Sequence, residues 1–278
     1  MDPGRFGLVA REGRGRRSGP WPGHKSRATG RPPHYRSAMV TFVLVAGARL
    51  GGWAWDGVVP HLRAAGHDVR PLTLSGLAEK RGVSAGQQTH VRDIVDEVER
   101  RESRDVVLVG HSYAGIPVGQ AAGRIGDRLR RVVFVDAEVP SDGASFVSVW
   151  PDGGAAVTAE IAEHGGFWPT VPAGHYAGHG LTDEQIARIV AGSTPHPGAT
   201  LTEPAVLARP LEELPTTYVL CRLAGPEPSD AVRGLLSGPQ WRRADLDTGH
   251  WPMFSRPREL ADVLLDAAAL NGPVARPC

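Results

Sequence analysis

The sequence predicts an α/β domain with a mostly parallel, doubly wound sheet and one segment inserted late in the alternation. Three observations carry that prediction. Near-continuous apolar runs alternate with helical segments, the pattern of strands covered on both faces. The alternation stops over residues 141–205 and then resumes. With 278 residues, 41% of them hydrophobic and 22% charged, the chain can bury one sizeable core.

Residues 1–38 carry eight Arg and one Lys against Asp2 and Glu12, are rich in Gly and Pro, and show no apolar period. They are expected to form a disordered basic extension, with the domain proper spanning 39–278. "MVTFVLVAG" (39–47) reads as a buried strand and "WAWDGVVPHLRAAG" (53–66) as a helix closed by glycine. "HDVRPLTL" (67–74) is a second strand. In "THVRDIVDEVERRES" (89–103), Val91, Ile94, Val95 and Val98 fall on one helical face. A strand at 105–110 runs into a helix from Ser112 to about Ile125, and "RRVVFVDA" (130–137) follows as another strand. Residues 141–205 are rich in Gly, Pro, Trp and His, with one clear helix near "TDEQIARIVAG" (182–192). Such an insertion reads as a lid over the carboxyl ends of the strands, where open α/β sheets bind ligands. "PTTYVLCRL" (215–223) and "WRRADLD" (241–247) restore the strands, and "RPRELADVLLDAAAL" (256–270) closes the domain as a helix.

A small-molecule substrate is the expected partner, and composition argues against nucleic acid and membrane. Outside 1–38, 22 basic residues face 28 acidic ones, and a mildly acidic body argues against nucleic acid. No apolar run approaches the roughly 18 residues that a membrane span needs. Cys221 and Cys278 offer no disulfide framework, so the cytoplasm is the expected location. No phosphate loop or dinucleotide fingerprint appears, and no cofactor is expected. His175 and His179, four apart in "HYAGH", lack a nearby carboxylate, so no metal site is expected either. Nothing in the sequence speaks to oligomeric state.

The chemistry-bearing stretch is "VVLVGHSYAG" (106–115), an apolar strand driven into a serine at a tight turn and then into a helix. This is the setting of a nucleophile elbow, G-x-S-x-G, with Gly110 in place, Ser112 as nucleophile, Ala114 at the second glycine position and Gly115 after it. A serine hydroxyl attacks only when a base takes its proton. His250 in "DLDTGHWPMF" (245–254), presented after the last strand, has the right place in chain order. An oxyanion hole needs two backbone N–H groups. Tyr113, next to the serine, offers one, and Ala48 in the loop "VAGARLGG" (45–52) is the best-placed second donor.

From Met39 onward the chain resembles α/β-hydrolases. It is most similar to the branch of plant methylesterases, hydroxynitrile lyases and bacterial esterase-like proteins. "FVLVAGARLGGWAWDGVVPHLRAAGHDV", "VVLVGHSYAG", "VVFVDAEVP" and "TGHWPM" match that branch in order. Ala46-Gly47 stands where the branch usually reads His-Gly. The triad acid also departs: Leu223, Ala224 and Gly225 occupy its usual place beyond the 215–223 strand. Asp136, ending the strand 130–137, is the expected substitute, as in haloalkane dehalogenases of the same fold. Glu138, two residues on, points to the same face but lies further out; Glu227 and Asp230 are the rivals.

Ser112 excludes the Asp-nucleophile mechanism of dehalogenases and epoxide hydrolases. Trp251 and Gly47 replace the Lys and Thr of the hydroxynitrile lyases. The resemblance therefore implies acyl transfer: hydrolysis of an ester, lactone or thioester through a Ser112–His250–Asp136 triad. A carbon–carbon bond hydrolase with the same triad is the nearest enzymatic alternative. A catalytically silent ligand-binding fold is the alternative from another class, favoured by the missing acid. Trp150, Trp168, Tyr176 and Trp251 suggest a pocket for an aromatic or polycyclic group, against the simpler reading that they pack the insertion onto the core.

Overall fold

The computed structural model describes residues 39–270. The extension expected at 1–38 lies outside the described residues. The first apolar run becomes β1 (Thr41–Val45), buried throughout. The helix expected over 53–66 is instead a 3-10 turn (Gly52–Trp55) followed by α1 (Val59–Ala64). Pro60 explains the break: it has no N–H to donate inside a helix but fits the first turn of a new one. Gly66, at φ +89°, closes α1. Then come β2 (Asp68–Leu72) and α2 (Gln87–Arg100), which buries Val91, Ile94 and Val98 as their spacing predicts. β3 (Val106–His111) leads through one 3-10 turn (Ser112–Ala114) into α3 (Gly115–Arg124), and β4 (Leu129–Val135) follows.

The insertion is more ordered than its composition suggests. It contains α4 (Ala155–Glu163), β5 (Phe167–Trp168), α5 (Asp183–Gly192), β6 (His196–Pro197) and α6 (Ala199–Thr202). Only α5 is legible in the sequence, where Thr182 and Gln185 form a reciprocal cap. The alternation resumes with β7 (Thr216–Cys221), a short α7 (Asp230–Leu236), β8 (Trp241–Leu246), α8 (Pro252–Ser255) and α9 (Pro257–Ala269).

The main sheet has the order β2-β1-β3-β4-β7-β8, with every pairing parallel, and β5 pairs antiparallel with β6 in a separate ribbon. Alternate residues of β3 feed opposite faces. Leu108 joins Ile94, Phe134 and Trp241, while Val107 and Val109 join Phe42, Trp55, Leu62 and Leu260. The chain moves from β1 out to β2 and returns to β3, so the strand order reverses between β1 and β3. Register brings the loops of this crevice together: Val45 pairs with Gly110, His111 with Val135, and Val135 with Val219. Residues 46, 112 and 136 thus leave adjacent strands at one edge, the place where such sheets hold ligands.

Candidate active site

Ser112 sits at φ +53°, in the left-handed region that a side-chain-bearing residue adopts only when its surroundings enforce it. The enforcement is visible in its neighbours. A Cβ on Gly110 would stand 2.9 Å from the Ala114 carbonyl oxygen, and one on Gly115 would run into the Glu138 carbonyl. Glycine is therefore needed at 110 and 115, whereas the Ala114 methyl is accommodated in the core.

Ser112, His250 and Asp136 lie in one hydrogen-bonded line. The Ser112 hydroxyl and His250 Nε2 are 2.9 Å apart, and His250 Nδ1 and Asp136 Oδ2 are 2.6 Å apart. An ionised carboxylate only accepts, so Nδ1 carries the proton and Nε2 is left to accept from serine. Asp136 is itself fixed at φ +44°: its N–H donates to Val219 O at 2.8 Å, and its Oδ1 accepts from the Cys221 amide at 3.3 Å. That amide ends β7, the strand after which the branch usually carries its acid. Glu227 pairs with Arg243, and Asp230 pairs with Arg233 at the start of α7. Glu138 lies near enough for the His250 and Asp136 charges to act on it, with burial the larger effect raising its pKa, but His250 Nδ1 is bonded to Asp136 and not to it.

The loop after β1 comes hard against the serine. A methyl on Gly47 would stand 2.8 Å from both Ser112 Cβ and His111 Nδ1. Among the described residues, the amides of Ala48 and Tyr113 donate to no loop carbonyl or side chain. The Tyr113 side chain points the other way, fully buried, its hydroxyl 2.8 Å from His90 Nδ1.

Three contributors were not read from the sequence as site residues. His111 accepts the Gly47 N–H at Nδ1 (3.3 Å) and donates from Nε2 to the His250 carbonyl (2.7 Å). Burial, then the nearby His250, pushes its pKa well below the usual histidine value, so it stays neutral. His179, half of the "HYAGH" pair, accepts the His250 N–H at Nδ1 (3.1 Å), and Gly249 is required because a Cβ there would collide with the His179 backbone. Arg49, next to Ala48, is buried with its guanidinium carbon 3.4 Å from the centroid of the Trp168 ring. The first of these could have been suspected from its place before the elbow serine.

The four aromatic residues expected to line a pocket divide into two groups. Trp251 packs edge-on against His250 (5.0 Å between centroids) and at a tilt against Tyr176 (4.8 Å). Both belong to the buried core, so they also fasten the insertion down. Trp150 and Trp168 contact each other at 5.6 Å, and Trp150 touches Phe146, which in turn meets Tyr113.

A family model described as the alpha/beta hydrolase family matches residues 42–263. The chain belongs to this family. A carbendazim hydrolyzing esterase from Nocardioides sp. (strain SG-4G) is 31% identical over 241 residues, spanning 81% of this chain and 98% of that relative. Methylesterase 7 of Arabidopsis thaliana is 27% identical over 248 residues, spanning 82% of this chain and 95% of its own length. Among solved structures, an extracellular alpha/beta-hydrolase from a Paenibacillus species matches with a TM-score of 0.72 at 20% identity, covering 84% of this chain and 100% of that one. This α/β-hydrolase is thus an enzyme of the carboxylic ester hydrolase kind. Among its described residues no helix is long and apolar enough to cross a membrane.

Proposed function

We propose that the chain hydrolyses a carboxylic ester, lactone or thioester of a small aromatic or polycyclic molecule through an acyl-enzyme on Ser112. The observation that carries the proposal is the unbroken line Ser112–His250–Asp136, at 2.9 and 2.6 Å. His250 Nε2 takes the Ser112 proton as Oγ bonds to the substrate carbonyl carbon. The carbonyl electron pair moves onto oxygen, which the Ala48 and Tyr113 amides receive. The tetrahedral adduct collapses, and the alcohol departs with the proton held by His250. A water, deprotonated by the same nitrogen, then attacks the acyl-serine and releases the acid. Throughout, Asp136 holds the Nδ1–H tautomer and balances the imidazolium when it forms.

Relatives named as an esterase and a methylesterase support the ester class. The aromatic side chains around His250 and Trp150 support a flat apolar group on the substrate. A fluorophosphonate probe should label the wild type rapidly and leave Ser112→Ala unlabelled, and a panel of p-nitrophenyl, methyl and aromatic esters should show turnover. No labelling of the folded wild type, and no turnover of any ester, would favour the silent ligand-binding fold instead.

A further inference from the structure

Arg49 is a largely buried cation that forms no ion pair among the described residues. It is 7% exposed, and its backbone is pinned on both sides: its N–H donates to His196 Nδ1 at 3.1 Å, and its carbonyl accepts from Thr194 N at 3.0 Å. At φ +70° it holds the left-handed conformation that a residue with a side chain rarely keeps. The side chain is fixed by stacking on Trp168 and by Nε–H donating to the Pro169 carbonyl at 2.6 Å. Among the described residues, the four N–H groups of its two terminal nitrogens have no acceptor and no carboxylate forms an ion pair with it. Glu160 is the acid whose charge acts on Arg49, but its Oε2 is held by the Trp168 indole N–H at 2.9 Å. Burial lowers the guanidinium pKa to about 10, which still leaves it charged at neutral pH.

Its place ties it to the reaction centre. Arg49 is two residues beyond Gly47, whose added methyl would touch Ser112 Cβ at 2.8 Å. The Arg49 and Gly47 Cα atoms are therefore within about 8 Å. On its far side, after the larger effect of burial, the Arg49 charge opposes protonation of His175 and favours ionisation of Tyr176. Tyr176 and His175 both pack against Trp251, the neighbour of His250. The guanidinium thus stacks on Trp168 and acts through its charge on Tyr176, which packs against Trp251.

We infer that Arg49 is a specificity-determining residue that receives a carboxylate carried by the substrate away from the scissile ester. The inference rests on the hydrolase reading above and narrows its substrate class to monoanionic half-esters. The two terminal nitrogens reach solvent and are free to meet a ligand, and the planar fork of arginine matches a carboxylate with two parallel hydrogen bonds. An anion held there brings an ester to Ser112 only when the spacer between carboxylate and ester has the matching length, so the test varies that spacer. The simpler role, a clasp between the loop after β1 and the insertion, uses only Nε and the ring stack and leaves the fork idle.

The test compares monomethyl succinate, monomethyl adipate and monomethyl terephthalate with the neutral analogues in which carboxamide replaces carboxylate. We expect wild-type kcat/KM to favour at least one acid over its amide by roughly 10- to 100-fold, the range of a charge-assisted hydrogen-bonded pair. In Arg49→Gln that ratio should fall to about one, mostly through KM, and Arg49→Lys should hold an intermediate ratio. A wild-type ratio near one for all three pairs, or an unchanged ratio in both variants, would overturn the inference. Equal losses on acid and amide would assign Arg49 to the clasp and overturn it as well. Titration calorimetry of monomethyl terephthalate into Ser112→Ala separates this from the hydrolase reading. Binding that Arg49→Gln, in the same background, weakens at least 10-fold supports the anion site even if no ester is turned over. No binding at 10 mM probe refutes it even if neutral esters are hydrolysed well.

Discussion

Replacing Asp136 by Asn removes one proton acceptor and leaves the shape of the site unchanged, which makes it the sharpest test of the proposed chemistry. The contact at stake is His250 Nδ1 to Asp136 Oδ2, 2.6 Å. If the Asn amide nitrogen takes that position, the imidazole must present a bare Nδ1 to it, and the ring proton moves to Nε2. That nitrogen then faces Ser112 as a donor and cannot remove the serine proton. In a serine protease with the same arrangement, this change lowers kcat by about 10⁴, or about 5 kcal/mol of barrier. We expect a loss of the same order here.

The fold should tolerate the change. Asn is among the residues best able to hold a positive φ, so the strained backbone at +44° is kept. With the amide nitrogen facing His250, the Asn Oδ1 still accepts the Cys221 N–H that Asp136 holds at 3.3 Å, and even losing that bond would cost only about 1 kcal/mol. The assay is stopped-flow hydrolysis of p-nitrophenyl acetate, alongside thermal melting by circular dichroism. Asp136→Asn should melt within a few degrees of wild type and show neither burst nor steady-state turnover. Glu227→Gln and Asp230→Asn, whose carboxylates pair with Arg243 and Arg233, should match wild type within twofold. An Asp136→Asn protein retaining more than a tenth of wild-type kcat would refute the placement of the acid.

Other expectations follow from the same contacts. Ser112→Ala and His250→Ala should each abolish turnover, and the double variant should be no worse than either, because triad members act as a unit; a further tenfold loss in the double variant would argue against that unit. Gly47→Ala puts a methyl 2.8 Å from Ser112 Cβ and His111 Nδ1. It should cost about 1–3 kcal/mol of stability by overpacking and roughly 10² in kcat by shifting the Ala48 donor, read by melting and by turnover. His179→Leu removes the acceptor of the His250 N–H and should lower kcat on the order of tenfold, while His179→Asn, which can still accept, should recover part of it. Burial of His90 depresses its pKa to about 4. The unfolded chain therefore binds a proton near pH 6.5 that the folded one refuses, so this stability is intact above 6.5 and lost as pH falls towards 4. The loss is on the order of 3 kcal/mol. Urea midpoints measured from pH 7 to 4.5 should fall more steeply for wild type than for His90→Gln.

The sheet was readable because its strands are buried on both faces and so appear as unbroken apolar runs, with β3 and β4 clearest. The β5–β6 ribbon was not readable, since two residues paired across a gap of about thirty leave no local period. α7 was hidden for a different reason. Its residues "DAVRGLL" carry a glycine and bury only Val232, so little amphipathic signal survives. Within the site, Ser112 and His250 were legible because a strand-end turn advertises each of them. Asp136 was legible only by default, from the apolar residues in the acid's usual place. The contacts of Arg49 with Trp168, and of His179 with His250, join segments far apart in the chain. The pair at 175 and 179 drew notice for its spacing, yet spacing could not reveal that one member accepts a backbone N–H of the base.

His111 explains how the separate pieces could be held in register. It is the last residue of β3, so the sheet fixes its backbone through pairing with Val135. Its ring spans from the Gly47 amide on one side to the His250 carbonyl on the other. One rigid imidazole therefore sets the distance between the loop that offers the Ala48 amide and the segment that carries the base. The two bonds demand opposite roles of the ring nitrogens, an acceptor at Nδ1 and a donor at Nε2, which only the neutral Nε2–H tautomer supplies. Burial keeps the ring in that form by making the charged form expensive. A glutamine could imitate the two roles but not the span of the ring, and an asparagine is shorter still. The branch usually places a histidine side chain in the loop after β1, where this chain has Ala46. The bond from the Gly47 amide to His111 does not use the side chain at position 46. Because His111 holds this loop through a backbone amide, the side chains on either side of Gly47 are free to serve other contacts, as Arg49 does with Trp168 and Pro169, without loosening the backbone that holds Ala48 in place.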